Sequence, residues 1–594
     1  MSTIVEKIQS LPPDLPFYSF EFFPPKTDSG VQNLTARLKR MAELNPLFVN
    51  VTWGAGGSTS SKSLDIATLC HKQLGLTTCL HLTCTNMDKN IIDQALAKAK
   101  QNGIRNLLAL RGDPPRGDEY QIPSESQPFH YAVDLVKYIR QQYGDYFCIG
   151  VAAYPEGYAD GTNPELQDIN IDLPYLIEKT AAGADFIMTQ LFFDTDSFIK
   201  FEKLLRQHES GIFKTIPIIP GLLPINTFQS FIRTAKLSHA HIPVDVMTKL
   251  ETVQSTDDEQ VKQVGVQILT DMIDRIYQET SHRVRGFHFY TLNLERATAS
   301  ILEKSIILKK SQIVRRALPE TTPSIEAVLS GKVEDIKLNA KSETAEASWD
   351  DFPNGRWGDP RSPAYGEIDG YGITLHVPPA KALELWGHPE KPEDISKLFV
   401  DYIQGKLPVL PWSEQDDLNP ETRFIVDDLI RLNNDGFWTV ASQPAVNSVR
   451  SDDPIFGWGP RNGYVFQKSL VEFFISTDKW LKLKQKLSNV DEISYYAGNA
   501  KGDFFSNMTA SDMNAVTWGA FPNREVVQPT IIEEQSFKAW SEEAFAIWQE
   551  WQQLYAKNSN TGQFLQKIHD SYFLVSLVHH DYVNTTALWE FLHI

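Results

Sequence analysis

Residues 17–23 read FYSFEFF, an apolar, aromatic-rich run of strand length, and runs of the same kind return along the first half of the chain. They are LFVNVTW from Leu47, TTCLHLTC from Thr77, NLLALRG from Asn106, FCIGVAAY from Phe147, DFIMTQLFF from Asp185, IPIIPGLL from Ile216 and GFHFYTLN from Gly286. Segments of helical period separate them, among them VQNLTARLKRMAEL from Val31, NIIDQALAKAKQNG from Asn90 and YAVDLVKYIRQQYG from Tyr131, the last two closing on glycine as helix C-caps do. Eight strands alternating with helices over about 300 residues match a closed (β/α)8 TIM barrel, with an open doubly wound sheet as the competing arrangement.

Beyond the barrel the pattern breaks after Ser311, and Leu318 to Ser348 (LPETTPSIEAVLSGKVEDIKLNAKSETAEAS) is polar and poorly periodic, as linkers are. A second folded region of mixed α/β character begins near Trp349. The expected organisation is therefore a catalytic barrel over 1–310, a linker over 311–348 and a second domain over 349–594. That domain offers strand-like runs, FWTVAS from Phe437, YVFQKSLVEFFIS from Tyr464 and AVTWGAF from Ala515. It also offers a helix around 537–555, on which Trp540, Ala544, Ile547, Trp548, Trp551 and Tyr555 recur at spacings of three and four. Such a face is expected to be core rather than a stacking platform for bases.

A chain of 594 residues is too long for one core, which agrees with two large domains. Its 42% hydrophobic and 22% charged content is that of a globular protein, not of a disordered or disulfide-stapled one. The formal net charge of −19, with no basic stretch interleaved with aromatics, argues against nucleic acid as a partner. Four cysteines, Cys70, Cys79, Cys84 and Cys148, form no C-x-x-C pair and fit a reducing compartment. The N-terminal MSTIVEKIQS reads as neither signal nor transit peptide, and no run approaches eighteen apolar residues, so a cytoplasmic protein without a membrane span is expected.

Barrel active sites are built at the C-terminal ends of the strands, so polar residues ending the apolar runs are the candidates. In chain order they are Glu21, Thr52, His81, Arg111 with Asp113, Tyr154, Gln190 and Tyr290. Glu21 is flanked by Phe20, Phe22 and Phe23, surroundings expected to raise its pKa toward neutrality and suit a general acid, against the plainer reading of a solvated strand-end carboxylate. Asp113 lies in LALRGDPPRG, where Gly112 permits close approach of a ligand; the alternative is an Asp that staples a turn. Gln190 can donate and accept across a planar heterocycle, or merely satisfy a loop. His81 near Cys79 and Cys84 lacks a fourth ligand, so no metal site is expected. His579, His580 and Asp581 read as a structural turn. There is no G-x-x-x-x-G-K-[ST] and no G-x-G-x-x-G after a strand, and GAGGST from Gly54 only approaches one. A dinucleotide would have to be held by barrel loops and helix N-termini.

In order along the chain, SFEFFPPK, VTWGAGGS, HLTCTN, LALRGDPP, DFIMTQLFF, IIPGLLPI and HFYTLN resemble the methylenetetrahydrofolate reductases. In the second half, WDDFPNGRWGDPRSPAYGE from Trp349, IFGWGPRNGYVFQK from Ile455 and NAVTWGAFPNREVVQPT from Asn514 resemble the regulatory domain of the eukaryotic members. The resemblance implies ping-pong hydride transfer from NADPH or NADH through FAD to 5,10-methylenetetrahydrofolate, giving 5-methyltetrahydrofolate for methionine synthesis. By the same resemblance Glu21 is the acid that protonates folate N10, Asp113 a second carboxylate near flavin and pterin, and Gln190 and Tyr290 folate contacts. FAD contacts fall on Thr52, Trp53, His81, Arg111, Gly112, Asp113, Tyr131, Ala132, Tyr154, Asp172 and Lys179. S-adenosylmethionine is implied as an allosteric inhibitor at Glu421, Thr422, Thr439, Ser442, Gln443, Thr517 and Thr530, in a homodimer.

The chain departs from many relatives at Tyr158, Ala159 and Asp160 in YPEGYADG, where they carry His-Pro-Glu, at Leu294, where they carry an Arg that contacts substrate, and at Ser413, where some have Asn. The competing reading is a catalytically weak isozyme that binds ligands or partners; the presence of Glu21, Asp113 and Gln190 favours the enzyme.

Overall fold

Parallel strands buried on both faces need helices outside and packed side chains inside, and the first half of the chain supplies both. The computed structural model describes residues 2–25, 27–53, 60–84, 89–112, 129–158, 167–253, 258–317, 350, 362–364, 375, 377, 379–413, 418–458, 462–509, 514–522, 524–556 and 558–592. Strands β1 (Phe17–Phe22), β2 (Phe48–Val51), β3 (Thr78–Thr83), β4 (Asn106–Leu110), β5 (Cys148–Ala153), β6 (Phe186–Leu191), β7 (Ile218–Leu222) and β8 (Gly286–Tyr290) close into a barrel in sequence order. All eight quoted runs thus form the strands, and the open sheet is excluded.

Alternation sorts their side chains. Tyr18, Phe20, Phe22, Val49, Val51, Leu80 and Leu82 pack with helix residues such as Leu34, Leu38, Ile92 and Leu96 in the shell outside the sheet. Phe17, Phe48, Cys79, Cys148, Phe186, Met188 and Ile219 form a separate cluster with Ile4 and Ile8, which fills the N-terminal end of the barrel. The helix Ile4–Ser10 that brings Ile4 and Ile8 starts in a capping box between Thr3 and Glu6. Its N-terminal Ile4 N–H donates to Asn106 Oδ1 at 2.8 Å. Arg285 bolts the same floor, donating to the carbonyls of Ile8, Pro12 and Leu15 at 2.7, 2.6 and 3.0 Å.

Two compact units separate. The first carries the barrel through Asp351 and also takes Arg361–Gly370; the second includes Tyr371–Ile594. Asp350 is thus held by the barrel, where it accepts from the Glu295 and Arg296 N–H groups at 2.8 and 2.7 Å, capping the helix Arg296–Lys304. Its carboxylate also lies 2.7 Å from the Arg37 guanidinium, and both side chains are 2% exposed. Asn293 Nδ2 donates to Pro363 O at 2.7 Å, a second tie between the loop after β8 and the segment beyond 350.

In the second unit β9 (Trp438–Gln443), β12 (Ser469–Ser476), β13 (Ile493–Gly498), β14 (Phe504–Ser506) and β17 (Tyr572–His579) form an antiparallel sheet ordered β14-β13-β17-β12-β9. A four-stranded sheet holds β10 (Val446–Arg450), β11 (Tyr464–Gln467), β15 (Asn514–Phe521) and β16 (Arg524–Ile532). Along β12, Leu470 and Phe474 join one core, whereas Val471, Phe473 and Ile475 join another. The sheet is therefore covered on both faces. Trp540, Ala544, Ile547, Trp548, Trp551 and Tyr555 all lie buried in the first of these cores, as their spacing predicts. Among the described residues no helix is long and apolar enough to cross a membrane.

Candidate functional site

Glu21 sits near the C-terminal end of β1, on the strand face of Ser19, and is 15% exposed. Its carboxylate Oε2 lies 3.2 Å from His288 Nε2 on β8 and 3.5 Å from His81 Nε2 on β3. Behind the His288 ring, Nδ1 meets the Ser19 hydroxyl at 2.9 Å. Asn50 Nδ2 on β2 approaches His288 Nε2 at 3.4 Å and Met188 Sδ on β6 at 3.3 Å. Ser19, Asn50 and His288 are fully buried.

The expected rise in the Glu21 pKa is reversed. Alternation turns Phe20 and Phe22 outward into the helical shell, so they do not line the carboxylate. Burial alone pushes the group up, but His81 and then His288 outweigh it and hold it below the ordinary carboxylate value. Burial also drives His81 toward its neutral form, against the pull of Glu21. The hydrogen bond from His288 is therefore the part of this stabilisation that does not depend on a charged ring at position 81.

Around this centre stand the other candidates. Tyr290 donates its hydroxyl to Thr189 O at 2.7 Å, and its ring meets His288 edge-on at 4.9 Å. Gly221 on β7 leaves room for it, since a Cβ there would overlap the Tyr290 ring and Thr189 O. Gln190 Oε1 accepts from the Leu191 N–H at 2.9 Å, the loop-satisfying role weighed from sequence, which uses the amide oxygen and not its NH2.

At the ends of β2 to β5 the chain prepares a polar cradle. Thr52 N–H donates to Phe22 O at 2.9 Å and Thr52 O accepts from Ser63 Oγ at 2.8 Å, fixing the turn that carries Trp53. Among the described residues Trp53 Nε1, Thr83 Oγ1 and His81 Nε2 are buried without a hydrogen-bond partner, and a polar ligand would satisfy them. Gly112 has φ +83°, and a Cβ there would stand 2.7 Å from Thr83 Cβ. The Arg111 guanidinium lies over the Tyr131 ring at 5.8 Å, and Tyr131, 54% exposed, precedes Ala132 at the start of the helix Ala132–Tyr143.

Further along, the Tyr154 and Tyr158 rings meet edge-on at 5.1 Å, and Tyr158 N–H donates to Asp172 Oδ2. Tyr158, one of the departures, thus packs against Tyr154. Lys179 donates to Ala152 O at 2.6 Å; burial lowers its pKa to about 8, against the attraction of Asp172. Leu294 is buried, 5% exposed, and contributes no cation. Asp113, Ala159 and Asp160 lie outside the described residues.

Sequence reasoning stopped at Tyr290 and Glu21 and passed over His288 and Ser19. Each lies two residues earlier on the same strand, so period-two alternation was the signal that could have found them.

The second-half candidates lie on strands of both sheets and on the segment around Glu421, and only some of them are linked by contacts. Glu421 Oε2 accepts from Gln467 Nε2 at 3.1 Å, and burial raises the Glu421 pKa against that hydrogen bond. Gln467 is paired with Thr517, and Thr517 with Thr530, across β11, β15 and β16; the Thr530 side chain is outside the described residues. Thr439, Ser442 and Gln443 line β9: Thr439 Oγ1 accepts from Asn433 Nδ2 at 2.8 Å, and Gln443 Nε2 donates to Lys468 O at 2.8 Å. Thr422 is buried beside Glu421. Ser413 closes a local turn, donating to Leu410 O at 2.9 Å. His579 accepts from the Asp581 N–H at 3.2 Å, the turn expected there.

The family model described as "Methylenetetrahydrofolate reductase" matches residues 7–306, and the one described as "MTHFR, SAM-binding regulatory domain" matches residues 332–593. "Methylenetetrahydrofolate reductase 2" of Schizosaccharomyces pombe is 44% identical, covering 100% of this chain and 99% of its own length. "Probable methylenetetrahydrofolate reductase (NADH)" of Oryza sativa is 43% identical, covering 98% of each chain. "Probable methylenetetrahydrofolate reductase (NADPH)" of Caenorhabditis elegans is 36% identical over 97% of this chain and 88% of its own. A barrel with a carboxylate between two imidazoles at its mouth, followed by a two-sheet domain, and full-length identity at this level lead to one conclusion: the chain belongs to the methylenetetrahydrofolate reductase family, with a SAM-binding regulatory domain as its second half.

Proposed function

We propose that the chain reduces 5,10-methylenetetrahydrofolate to 5-methyltetrahydrofolate, with hydride drawn from NADPH or NADH through FAD in two successive half-reactions and Glu21 as the acid. The observation that carries this reading is the Glu21 carboxylate, 3.2 and 3.5 Å from two imidazoles at the C-terminal end of the barrel. A proton delivered from it to folate N10 opens the five-membered ring to an iminium that accepts hydride.

The residues present suit FAD. The unpartnered Trp53 Nε1, Thr83 Oγ1 and His81 Nε2, and the close approach allowed at Gly112, fit a planar polar ring system. Bound FAD supplies the capacity to take up hydride from the nicotinamide and release it to folate. Thr52, Trp53, His81, Arg111, Gly112, Tyr131, Ala132, Tyr154, Asp172 and Lys179 hold that cofactor, Asp113 provides a second carboxylate, and Gln190 and Tyr290 orient the folate. S-adenosylmethionine binds at Glu421, Thr422, Thr439, Ser442, Gln443, Thr517 and Thr530 and inhibits a cytoplasmic homodimer.

The test is Glu21→Gln followed anaerobically. The purified protein is yellow and bleaches with NADPH or NADH in native and variant alike, whereas reoxidation by methylenetetrahydrofolate slows in the variant by on the order of 10²–10⁴. Equal impairment of both half-reactions removes Glu21 from the acid role. A colourless protein that FAD does not reconstitute removes the cofactor.

A further inference from the structure

The acid in the reading above must be refilled at every turnover, because the overall reduction consumes one proton from solution along with the hydride. Yet the Glu21 carboxyl of the free chain is held below its ordinary pKa, against burial, by the two rings beside it. An ionised carboxylate has to receive a proton before it can deliver one, and the two imidazoles beside Glu21 Oε2, His288 at 3.2 Å and His81 at 3.5 Å, are placed to pass it on.

We infer that His288 stores the proton that Glu21 delivers to folate, and that Ser19 orients the ring for this task. Two observations carry this. His288 Nε2 lies 3.2 Å from Glu21 Oε2, and His288 Nδ1 lies 2.9 Å from the Ser19 hydroxyl, with both residues fully buried. Imidazole is the side chain that exchanges protons near neutral pH. A serine hydroxyl both donates and accepts, so Ser19 tolerates either state of the ring while fixing its orientation. The inference rests on the proposed role of Glu21 and adds the source of its proton.

The step balances as follows. The step starts from a proton held on His288 Nε2 and none on Glu21. When folate docks and excludes water, the proton moves from His288 Nε2 to Glu21 Oε2 and on to N10. The bond between the methylene carbon and N10 breaks, its electron pair stays on N10, and the carbon remains on N5 as the iminium. Glu21 is again a carboxylate, and the ring is neutral with its hydrogen on Nδ1, donated to Ser19 Oγ. Solvent recharges the ring through Glu21 once product leaves.

The other titratable groups around this pair are His81 and Cys79 on β3 and Tyr290 on β8; Asn50 on β2 and Met188 on β6 are its uncharged neighbours. Burial drives His81 toward neutrality, and burial, then Cys148 and Glu21, push the Cys79 thiol well above its ordinary value. Neither competes as the store.

The experiment uses the full-length flavoprotein and the variants His288→Gln, Ser19→Ala and Glu21→Gln. Each half-reaction is followed anaerobically between about pH 5 and pH 8, the window in which imidazoles in general change charge. Proton uptake on binding folate to the oxidised protein is read separately with an indicator dye in weak buffer. The expected result is that His288→Gln leaves flavin reduction within about twofold and slows folate reduction by about 10–100-fold, more steeply as pH rises. Native protein binds folate without taking up a proton, whereas His288→Gln takes up about one per site. Ser19→Ala shifts the pH profile in the same direction by a smaller amount.

A native pH profile and native proton balance in His288→Gln, with Glu21→Gln inactive toward folate, overturn the inference and leave the acid role of Glu21 standing. Normal folate reduction by Glu21→Gln overturns that role itself. Equal slowing of both half-reactions in His288→Gln makes the ring a packing element and also overturns the inference. If His288→Gln does not fold, Ser19→Ala decides, and an unchanged profile there counts against it.

Discussion

Phe17 lays its ring across Gly286, the residue paired with it on β8, so closely that a Cβ at Gly286 would overlap the ring. Phe186 does the same to Gly150, its partner on β5. Both rings belong to the cluster that fills the barrel's N-terminal end. Gly286→Ala and Gly150→Ala are each expected to lower stability by about 1–3 kcal/mol through overpacking. Urea denaturation checks this; two variants as stable as the native chain would mean that the floor is looser than described.

The Arg37 and Asp350 pair sets where the barrel can be cut. Removing Asp350 takes from the buried Arg37 its nearest carboxylate and leaves it Glu295 at 3.7 Å and the Asn293 carbonyl, so Asp350→Ala is expected to cost about 3 kcal/mol, the low end for breaking a buried pair. A chain ending at Lys310 suffers the same loss, whereas one ending at Gly370 keeps Asp350 and the bond from Asn293 to Pro363. Thermal melts of the two truncated chains should rank them in that order. The longer one is the proper catalytic-half control for asking whether S-adenosylmethionine slows only the full chain.

In the proposed FAD site, Lys179 should give cofactor binding a pH signature. With its pKa lowered to about 8 by burial, the free protein loses this charge above that pH, whereas a phosphate-bearing ligand favours the charged form. FAD affinity should weaken above about pH 8 by up to about tenfold per pH unit, and Lys179→Met should flatten the curve. Folding of the apo chain carries the opposite sign. The depressed folded-state value penalises the charged form, so stability rises between about pH 8 and the ordinary 10.5. Flavin fluorescence titrations and melts across that range measure the two effects.

In the regulatory half, burial raises the Glu421 pKa, while the hydrogen bond from Gln467 opposes it. A cationic sulfonium ligand favours the carboxylate, so S-adenosylmethionine affinity should increase with pH through the raised value, with release of a proton. Glu421→Gln should abolish that pH dependence and weaken binding by about tenfold or more, as loss of a charged hydrogen-bonding partner does. Calorimetry in two buffers of different ionisation enthalpy reads both.

The sequence made the barrel legible because each strand run is short, apolar and separated from the next by a helical period, and because sites of this fold lie at strand ends. The tryptophan face of the helix Glu534–Gln553 was legible for the same periodic reason. What escaped were relationships that need the register. Phe20 and Phe22 adjoin Glu21 in the chain yet face the other side of the sheet, whereas Ser19, two residues away, and His288, across the barrel seam, are its companions. Asp350 reads as the first turn of the second region, but only the fold reveals that it neutralises Arg37 and caps a barrel helix.

The helix Ile4–Ser10 and its Arg285 anchor close the end of the barrel opposite Glu21. In the proposed reaction, nicotinamide and folate would both enter over the strand ends that carry Glu21, so that spent nicotinamide departs before folate binds and methylated product departs before the next nicotinamide. Alternation of the two half-reactions would then follow from a shared entrance and require no separate timing signal.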